Sequence, residues 1–185
     1  MKKIQSRRMN IRIDKLTKSI QLRISGDTFD TMIEQIWPTD SNLLKDGAWQ
    51  FDWTRELHQK NREVYKLTTI LNPTIIQGLI SLEDLGDHIF VHLIENAEFN
   101  KGRQKLFEGV PGNLFAFACK MSFEKGYRGY VAFDAKTVLI PHYEKTLGAK
   151  RLAGIRMFFN REAAYKLTTQ YFKDFDNNNL DNATH

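Results

Sequence analysis

Residues 108–114 read Glu-Gly-Val-Pro-Gly-Asn-Leu, a glycine-bearing turn between two regular elements. The apolar run at residues 89–94 predicts a buried strand before the turn, and the apolar stripe that begins at Leu114 predicts a helix over residues 113–125. The first backbone N–H groups of a helix have no partner within the helix, and they lie at the positive end of its dipole. Residues 108–114 therefore predict a binding site for a phosphate or pyrophosphate group.

Upstream of this turn, the sequence predicts an antiparallel meander. Alternating or continuous apolar residues predict strands at residues 49–53, 64–70, 75–82 and 88–94. The connections between these strands are short, and short connections join antiparallel neighbours. The first strand would carry Trp49, Phe51 and Trp53 on one face, either in the core or along a binding groove.

Downstream of the turn, strands and helices alternate. The sequence predicts a strand at residues 129–133, a helix at 137–147 that ends at Gly148, a strand at 155–159 and a helix capped by Asn160. The strand–helix–strand unit over residues 89–133 predicts a parallel pair of strands, because the intervening helix carries the chain back along the sheet. Residues 26–175 are therefore expected to form one α/β domain.

Positive charge is concentrated at the N-terminus. Residues 1–25 hold eight Lys or Arg and one acid, a net charge of +7, whereas the remaining 160 residues carry 19 basic and 21 acidic groups. We expect residues 1–25 to form a basic arm, for which nucleic acid is a candidate partner. A short helix that carries Phe29, Met32, Ile33 and Ile36 is expected to follow. Residues 176–185 predict a polar, disordered tail.

The composition is typical of a single soluble globular domain: 185 residues, of which 42% are hydrophobic and 26% charged. No stretch approaches the ~18 apolar residues of a membrane span, and the N-terminus lacks the apolar segment of a secretory signal. The single cysteine, Cys119, can form neither an internal disulfide nor a metal site alone, and a small buried hydrophobe is expected there. These features predict a reducing, cytoplasmic compartment, without membrane or metal.

The order of the elements resembles the GNAT superfamily of N-acetyltransferases over residues 49–172. Two segments carry the resemblance: Gly109-Val110-Pro111-Gly112-Asn113-Leu114 and His142-Tyr143-Glu144-Lys145-Thr146-Leu147-Gly148. The first is similar to the acyl-CoA pyrophosphate loop of that family, and the second to its later Tyr-Leu-Gly element. Leu106 or Phe107 stands where the family's loop begins with Gln or Arg, and Pro111 removes one amide donor.

The resemblance implies a mixed sheet with an antiparallel N-terminal meander, a central strand–helix–strand unit that carries the pyrophosphate loop, and flanking helices. It also implies acetyl-CoA as co-substrate and a sheet that splays after residues 88–94 to admit pantetheine. Tyr143 would be the general acid for the departing thiolate, or else an aromatic packed in the core. The candidate cofactor-binding residues are Asn96, Ala97, Gly109, Val110, Gly112, Asn113, Leu114, Lys136 and Lys145.

Glu95 is the expected general base, because it ends the strand at residues 88–94 beside the expected splay. Glu83, Glu98 and His92 remain alternatives. The sequence thus predicts an N-acetyltransferase in which an unidentified small-molecule or macromolecular amine attacks acetyl-CoA directly in a ternary complex. The alternatives are a non-catalytic GNAT-like CoA-binding or interaction module, and an RNA-associated acetyltransferase that uses residues 1–25. The oligomeric state stays open, with a homodimer as one option.

Overall fold

The computed structural model describes residues 19–175, which form one nine-stranded mixed sheet with helices on both faces. The strands are β1 (Ser19–Leu22), β2 (Thr28–Ile36), β3 (Arg62–Thr69), β4 (Gly78–Asp84), β5 (Ile89–Asn96), β6 (Phe107–Glu108), β7 (Val131–Asp134), β8 (Lys150–Ala153) and β9 (Arg156–Phe159). The α-helices are α1 (Trp53–Leu57), α2 (Val110–Glu124), α3 (Ile140–Leu147) and α4 (Arg161–Tyr171). Short 3₁₀ helices lie at Pro38–Leu44, Glu98–Asn100 and Thr137–Leu139. No helix between residues 19 and 175 is long and apolar enough to cross a lipid bilayer.

The strand order is β6-β1-β2-β3-β4-β5-β7-β9-β8. Strands β2 to β5 pair in sequence as an antiparallel meander. The unit β5–α2–β7 then adds a parallel pair, in which residues 89–91 of β5 face residues 131–133 of β7. The predicted strand–helix–strand unit is confirmed, and so are three of the four predicted meander strands, which are β3, β4 and β5. The fourth strand of the observed meander is β2 and not residues 49–53.

Two hydrophobic clusters lie on opposite faces of the sheet. The adjacent residues Leu79 and Ile80 belong to different clusters, because successive side chains of a strand point to opposite faces. The larger cluster is centred on α2, where Leu114, Phe115 and Cys119 are fully buried. Burial raises the pKa of the Cys119 thiol, as expected for a structural cysteine. The smaller cluster is covered by the 3₁₀ helix Pro38–Leu44 and by α1.

The expected helix around residues 28–37 is wrong: these residues form β2. Phe29 and Ile33 pack against the larger cluster, whereas Ile36 belongs to the smaller one. A spacing of three to four residues fits one helix face, but it can also distribute side chains over the two faces of a long strand. Residues 28–36 form a strand and not a helix because they pair with β1 on one side and β3 on the other.

The expected strand at residues 49–53 is also wrong. Asp52 caps α1 by accepting a hydrogen bond from the Arg55 N–H, and the helix begins at Trp53. Trp53 is fully buried whereas Phe51 is exposed, so the aromatic residues do not share one strand face. The backbone N–H groups that a strand would use here are taken by a carboxylate, which is described below.

Smaller differences concern element boundaries. Helix α2 begins at Val110, three residues before the expected start, and β4 begins at Gly78 rather than at residue 75. Strand β8 lacks a hydrophobic pattern because all four of its residues are exposed at the edge of the sheet. Residues 19–22 of the expected arm form β1; residues 1–18 and the expected tail at 176–185 lie outside the described residues.

Gly129 provides a test of the packing between α2 and α4. Its φ is +82°, and a Cβ atom there would clash with the Phe123 ring, whose Cε2 would lie at 2.6 Å, and would lie 2.8 Å from the Ala164 Cβ. Gly86 has a φ of +88° with no atom within 4 Å of such a Cβ. We expect Gly129→Ala to lower the free energy of unfolding by about 1–3 kcal/mol more than Gly86→Ala, because only Gly129→Ala adds overpacking to the backbone strain. Thermal unfolding of both variants measures the difference, and equal melting temperatures would contradict it.

Candidate functional site

The sheet opens between β5 and β7. These strands pair only as far as Val91 and Phe133, although β5 continues to Asn96. The register between β4 and β5 shifts after Ser81, so His92 is an extra residue without a partner on β4. Within residues 19–175, the edge of β5 that faces β7 is therefore unpaired beyond residue 91.

Two cavities meet at this opening. The larger has a volume of about 730 Å³ and extends along α2, α3 and the end of α4. The smaller, of about 240 Å³, lies between β5 and the residues that follow β7. Both are lined by Asn96, Lys101, Pro111, Leu139 and Tyr143. Because these five residues border both cavities, the cavities adjoin each other. One extended ligand could therefore occupy both.

The first turn of α2 borders the larger cavity. Gly109 is its N-cap with a φ of +92°, a conformation that favours glycine. The N–H groups of Val110 and Gly112 have no acceptor within the helix, and Pro111 has no N–H group. Gly109, Pro111 and Gly112 line the cavity, whereas the side chains of Val110 and Leu114 are buried in the core. The positive end of α2 thus lies at the cavity.

Asn113 holds this turn against the sheet. Its Nδ2 donates to the Ser19 carbonyl at 2.9 Å and to the Gly109 carbonyl at 3.0 Å, and its Oδ1 accepts from Thr31 Oγ1 at 3.0 Å. The side chain is fully buried. Asn113, expected to bind cofactor, therefore has its side chain committed to β1, β2 and the N-cap of α2.

Tyr171, which the sequence analysis did not single out as a site residue, lies beside the same turn. It is the last residue of α4 and lines the larger cavity. A Cβ atom on Gly112 would clash with the hydroxyl oxygen of Tyr171 and lie 2.7 Å from its Cζ. Burial raises the pKa of Tyr171, so its phenol is protonated at neutral pH. The Tyr171 hydroxyl makes no hydrogen bond to any of residues 19–175. Its O–H group is therefore available as a donor next to the first turn of α2.

Tyr143 lies where the two cavities meet. Its ring packs edge-on against Phe115 and Phe133, with centroid distances of 5.7 and 5.5 Å. Burial raises the pKa of Tyr143, which keeps the phenol protonated and able to donate a proton. Its hydroxyl makes no hydrogen bond within residues 19–175. Tyr143 therefore packs against core aromatic residues and also lines the cavities, so the two roles expected from the sequence are not exclusive.

The basic side chains at the cavities differ from those expected. Lys136 lines the smaller cavity, but Lys145 is exposed and lines neither. Lys101 lines both cavities, and Lys105 lines the larger one. Sequence analysis missed these two lysines because they lie in an irregular segment whose path depends on contacts between distant residues.

Glu95 is buried and saturated with donors. Its carboxylate accepts from the backbone N–H of Gln50 at 2.7 Å and of Phe51 at 3.3 Å, from the Trp53 indole at 2.8 Å and from Lys101 at 2.8 Å. Burial alone would raise the pKa of Glu95, but the hydrogen bonds from Lys101, Gln50, Trp53 and Phe51 outweigh it and lower the pKa below its ordinary value. The carboxylate anchors residues 50–53 and Lys101 to β5, and its lowered pKa makes it a weak base.

The remaining residues expected near the splay are placed as follows. Asn96 lines both cavities, whereas Ala97 is buried and its N–H donates to the Gln77 carbonyl at 2.9 Å. Glu98 is largely exposed and pairs with Lys101 at 3.2 Å. His92 lines the smaller cavity and bonds to Glu83.

The anchoring role of Glu95 can be tested through stability. We expect Glu95→Gln to lower the free energy of unfolding at pH 7 by about 2–3 kcal/mol, because the amide group cannot accept from all four donors. The folded-state pKa is depressed, so this contribution is present above the ordinary value of 4.5 and is lost as the pH falls through the folded-state pKa.

Chemical denaturation across this pH range measures the effect, and the gap between wild type and Glu95→Gln should close in acid. Glu98→Gln is the matched control, because the Glu98 side chain is 63% exposed. This substitution should change the free energy of unfolding by less than about 0.5 kcal/mol. Equal losses in the two variants would rule out the anchoring role.

Comparison with known proteins identifies the fold. No protein-family model and no curated protein sequence matches the chain. Among solved structures, a mutant AtaT toxin bound to the C-terminus of the antitoxin AtaR and acetyl-CoA has a TM-score of 0.55 at 18% identity, covering 76% of this chain and 99% of that chain. AtaT complexed with acetyl-methionyl-tRNAfMet has a TM-score of 0.55 at 15% identity, covering 75% and 99%. Nourseothricin acetyltransferase has a TM-score of 0.50 at 14% identity, covering 70% and 97%. This chain therefore has the fold of the GNAT N-acetyltransferases.

Proposed function

We propose that this protein is an N-acetyltransferase that transfers an acetyl group from acetyl-CoA to an amine in a ternary complex. One observation carries the proposal: the positive end of α2 and the Tyr143 phenol border cavities that share a wall at the opening between β5 and β7. Solved structures of the same fold contain acetyl-CoA, although at 18% and 17% identity. The residues at the opening suit the same ligand.

The larger cavity suits the pyrophosphate of acetyl-CoA. The N–H group of Gly112, which lines the cavity, has no acceptor within the helix and lies at the positive end of α2. Lys105 adds a cation at the cavity, 3.9 Å from Glu108, and the Tyr171 hydroxyl adds a further donor. Lys101 also lines the cavity, but its charge is already paired with Glu95 and Glu98. These groups offset the two donors missing from the loop, one at Pro111 and one at the position before the glycines. Lys145, Val110, Asn113 and Leu114 do not line the cavity, so they are not part of the proposed site.

The opening between β5 and β7 suits the pantetheine arm. Beyond Val91, the edge of β5 that faces β7 has lost its partner strand, so its backbone groups are free to pair with the amides of an extended ligand. Asn96 lies at the end of this edge and lines both cavities. The acetyl group would then reach the smaller cavity, next to Tyr143.

Most of the rate enhancement is expected from holding the amine and the thioester together, since a well-oriented pair reacts far faster than the same groups in solution. The bond between the amine nitrogen and the acetyl carbon forms while the carbon–sulfur bond breaks. Tyr143 is proposed to give its phenolic proton to the departing thiolate. Its raised pKa supports an acid rather than a base.

The acceptor amine has two candidate classes. A small amine would fit the smaller cavity, of about 240 Å³. An aminoacyl-tRNA is the second candidate, favoured by the net charge of +7 over residues 1–25. A complex of AtaT with acetyl-methionyl-tRNAfMet is known for the same fold, at 15% identity.

Binding of acetyl-CoA tests the proposal directly. We expect isothermal titration to detect binding of acetyl-CoA to the wild-type protein. Tyr171→Phe should weaken this binding by about tenfold or more, because a hydrogen bond to a charged phosphate is lost. Binding of acetyl-pantetheine, which lacks the pyrophosphate, should not change. Tyr165→Phe, on the same helix, is the matched control because Tyr165 does not line the cavity.

No binding of acetyl-CoA by the wild-type protein would refute the proposed function. Thiol release should then be followed with small amines and with aminoacyl-tRNA as acceptors. Binding without thiol release for any acceptor would favour the non-catalytic CoA-binding module over the enzyme.

The proposed acid can be tested by removing one oxygen atom. We expect Tyr143→Phe to reduce kcat by about 100-fold, the usual scale of one proton transfer, without changing the KM for acetyl-CoA. The ring contacts with Phe115 and Phe133 are kept, so the melting temperature should stay the same. Tyr130→Phe is the control, because Tyr130 is exposed and lines neither cavity. An unchanged kcat in Tyr143→Phe would remove the role of Tyr143 but not the proposed reaction.

A further inference from the structure

We infer that His92, held by Glu83, takes the proton from the attacking amine. This inference rests on the proposed acetyl transfer and names the base that the reaction needs. His92 Nε2 lies 2.6 Å from Glu83 Oε2, and the two side chains are 19% and 22% exposed. His92 lines the smaller cavity together with Tyr143. A proton acceptor and a proton donor therefore border the same space.

The irregularity of β5 at this point brings the histidine to the cavity. His92 is the extra residue where the register between β4 and β5 shifts, and such a bulge changes the direction of a side chain relative to its neighbours. Its imidazole also packs edge-on against Phe90, with a centroid distance of 4.8 Å. Glu83 and Phe90, which are paired across β4 and β5, thus fix the ring from two sides.

The bond to Glu83 determines which ring nitrogen can act. A carboxylate only accepts hydrogen bonds, so Nε2 must carry the proton when the imidazole is neutral. Nδ1 then keeps its lone pair and makes no hydrogen bond to any of residues 19–175. A histidine oriented by a carboxylate on one nitrogen, with the other nitrogen free, is the arrangement that general-base catalysis uses.

The other charged groups nearby are already paired. Asp134 is bonded to Arg156, whose guanidinium lies 4.8 Å from the Phe90 centroid. Glu95, the other carboxylate at the smaller cavity, is paired with Lys101. Lys136 also lines the cavity, but as a cation it cannot take a proton. Among the residues described, His92 is thus the cavity-lining group best placed to act as a base.

The proposed transfer moves two protons from the amine nitrogen, one to His92 and one to Tyr143. The amine enters as an ammonium ion and gives one proton to Nδ1 of His92, directly or through one water molecule, and the imidazolium releases it to solvent. The neutral nitrogen forms a bond to the acetyl carbon as the carbon–sulfur bond breaks. The thiolate takes the proton of Tyr143, and the second nitrogen proton restores the Tyr143 phenol. The products are the acetamide and CoA, with one proton released.

Two amines of similar shape test the base. Ethylamine is mostly an ammonium ion at pH 7 and needs a base, whereas 2,2,2-trifluoroethylamine is mostly neutral and does not. We expect His92→Gln, which can still bond to Glu83, to lower kcat/KM about 100-fold with ethylamine and only a few-fold with trifluoroethylamine. Glu83→Gln, as a variant of the positioning residue, should give the same selectivity with a smaller loss of about tenfold.

His88→Gln is the matched control. His88 also pairs with a carboxylate, Asp87, at 2.6 Å, but it lies in the turn before β5 and lines neither cavity. It should leave both rates unchanged. Acetyl-CoA binding, measured by titration, should be the same in all of these variants.

The outcomes separate this inference from the proposed function. An equal loss with both amines, or no loss with either, would overturn the role of His92 while the enzyme stands. If the wild-type protein binds acetyl-CoA but releases no thiol with these amines or with aminoacyl-tRNA, the proposed reaction and the proposed base are both refuted. If His92→Gln does not fold, Glu83→Gln provides the test. An equal loss of kcat/KM with both amines in that variant would overturn the role of His92.

Discussion

Parallel pairing between β5 and β7 extends over only three residue pairs, and the candidate site depends on where it stops. A longer pairing would close the sheet and remove both the unpaired edge of β5 and the smaller cavity. Backbone groups left without a partner inside a protein cost free energy, so such an opening persists only where something else stabilises its walls. Here the walls are held by side chains, chiefly Glu95 on one side and the aromatic packing of Tyr143 on the other.

Buried polar side chains hold the irregular segments in place around this opening. Glu95 collects four donors from residues 50–53 and Lys101, and Asn113 joins the first turn of α2 to β1 and β2. Sequence position and family resemblance predict Glu95 as the general base and Asn113 as a cofactor-binding residue. Their hydrogen bonds give them a supporting role instead, and leave the groups at the cavities with unused bonding capacity: the first turn of α2, Tyr143, Tyr171 and Nδ1 of His92.

The sequence predicted the regular part of the fold well. Strands β3, β4 and β5 and the unit β5–α2–β7 follow from hydrophobic periodicity and short connections, which are local properties. Strand β2 was missed because Phe29, Ile33 and Ile36 fit a helix face as well as a long strand, and only pairing with distant strands decides between them. Residues 49–53 were missed because their N–H groups bond to Glu95, more than 40 residues away. Tyr171 and Lys101 were missed because no local pattern relates them to the glycine turn.

The contact between Gly112 and Tyr171 joins the first turn of α2 to the end of α4, 59 positions later in the chain. Because any side chain at position 112 would collide with the phenol, the two positions cannot vary independently. A lineage that acquired alanine at 112 would need a smaller residue at 171, and would then lose the hydroxyl beside the cavity. Positions 112 and 171 should therefore change together during evolution, because the residue at the end of α4 restricts which residues are possible in the glycine turn.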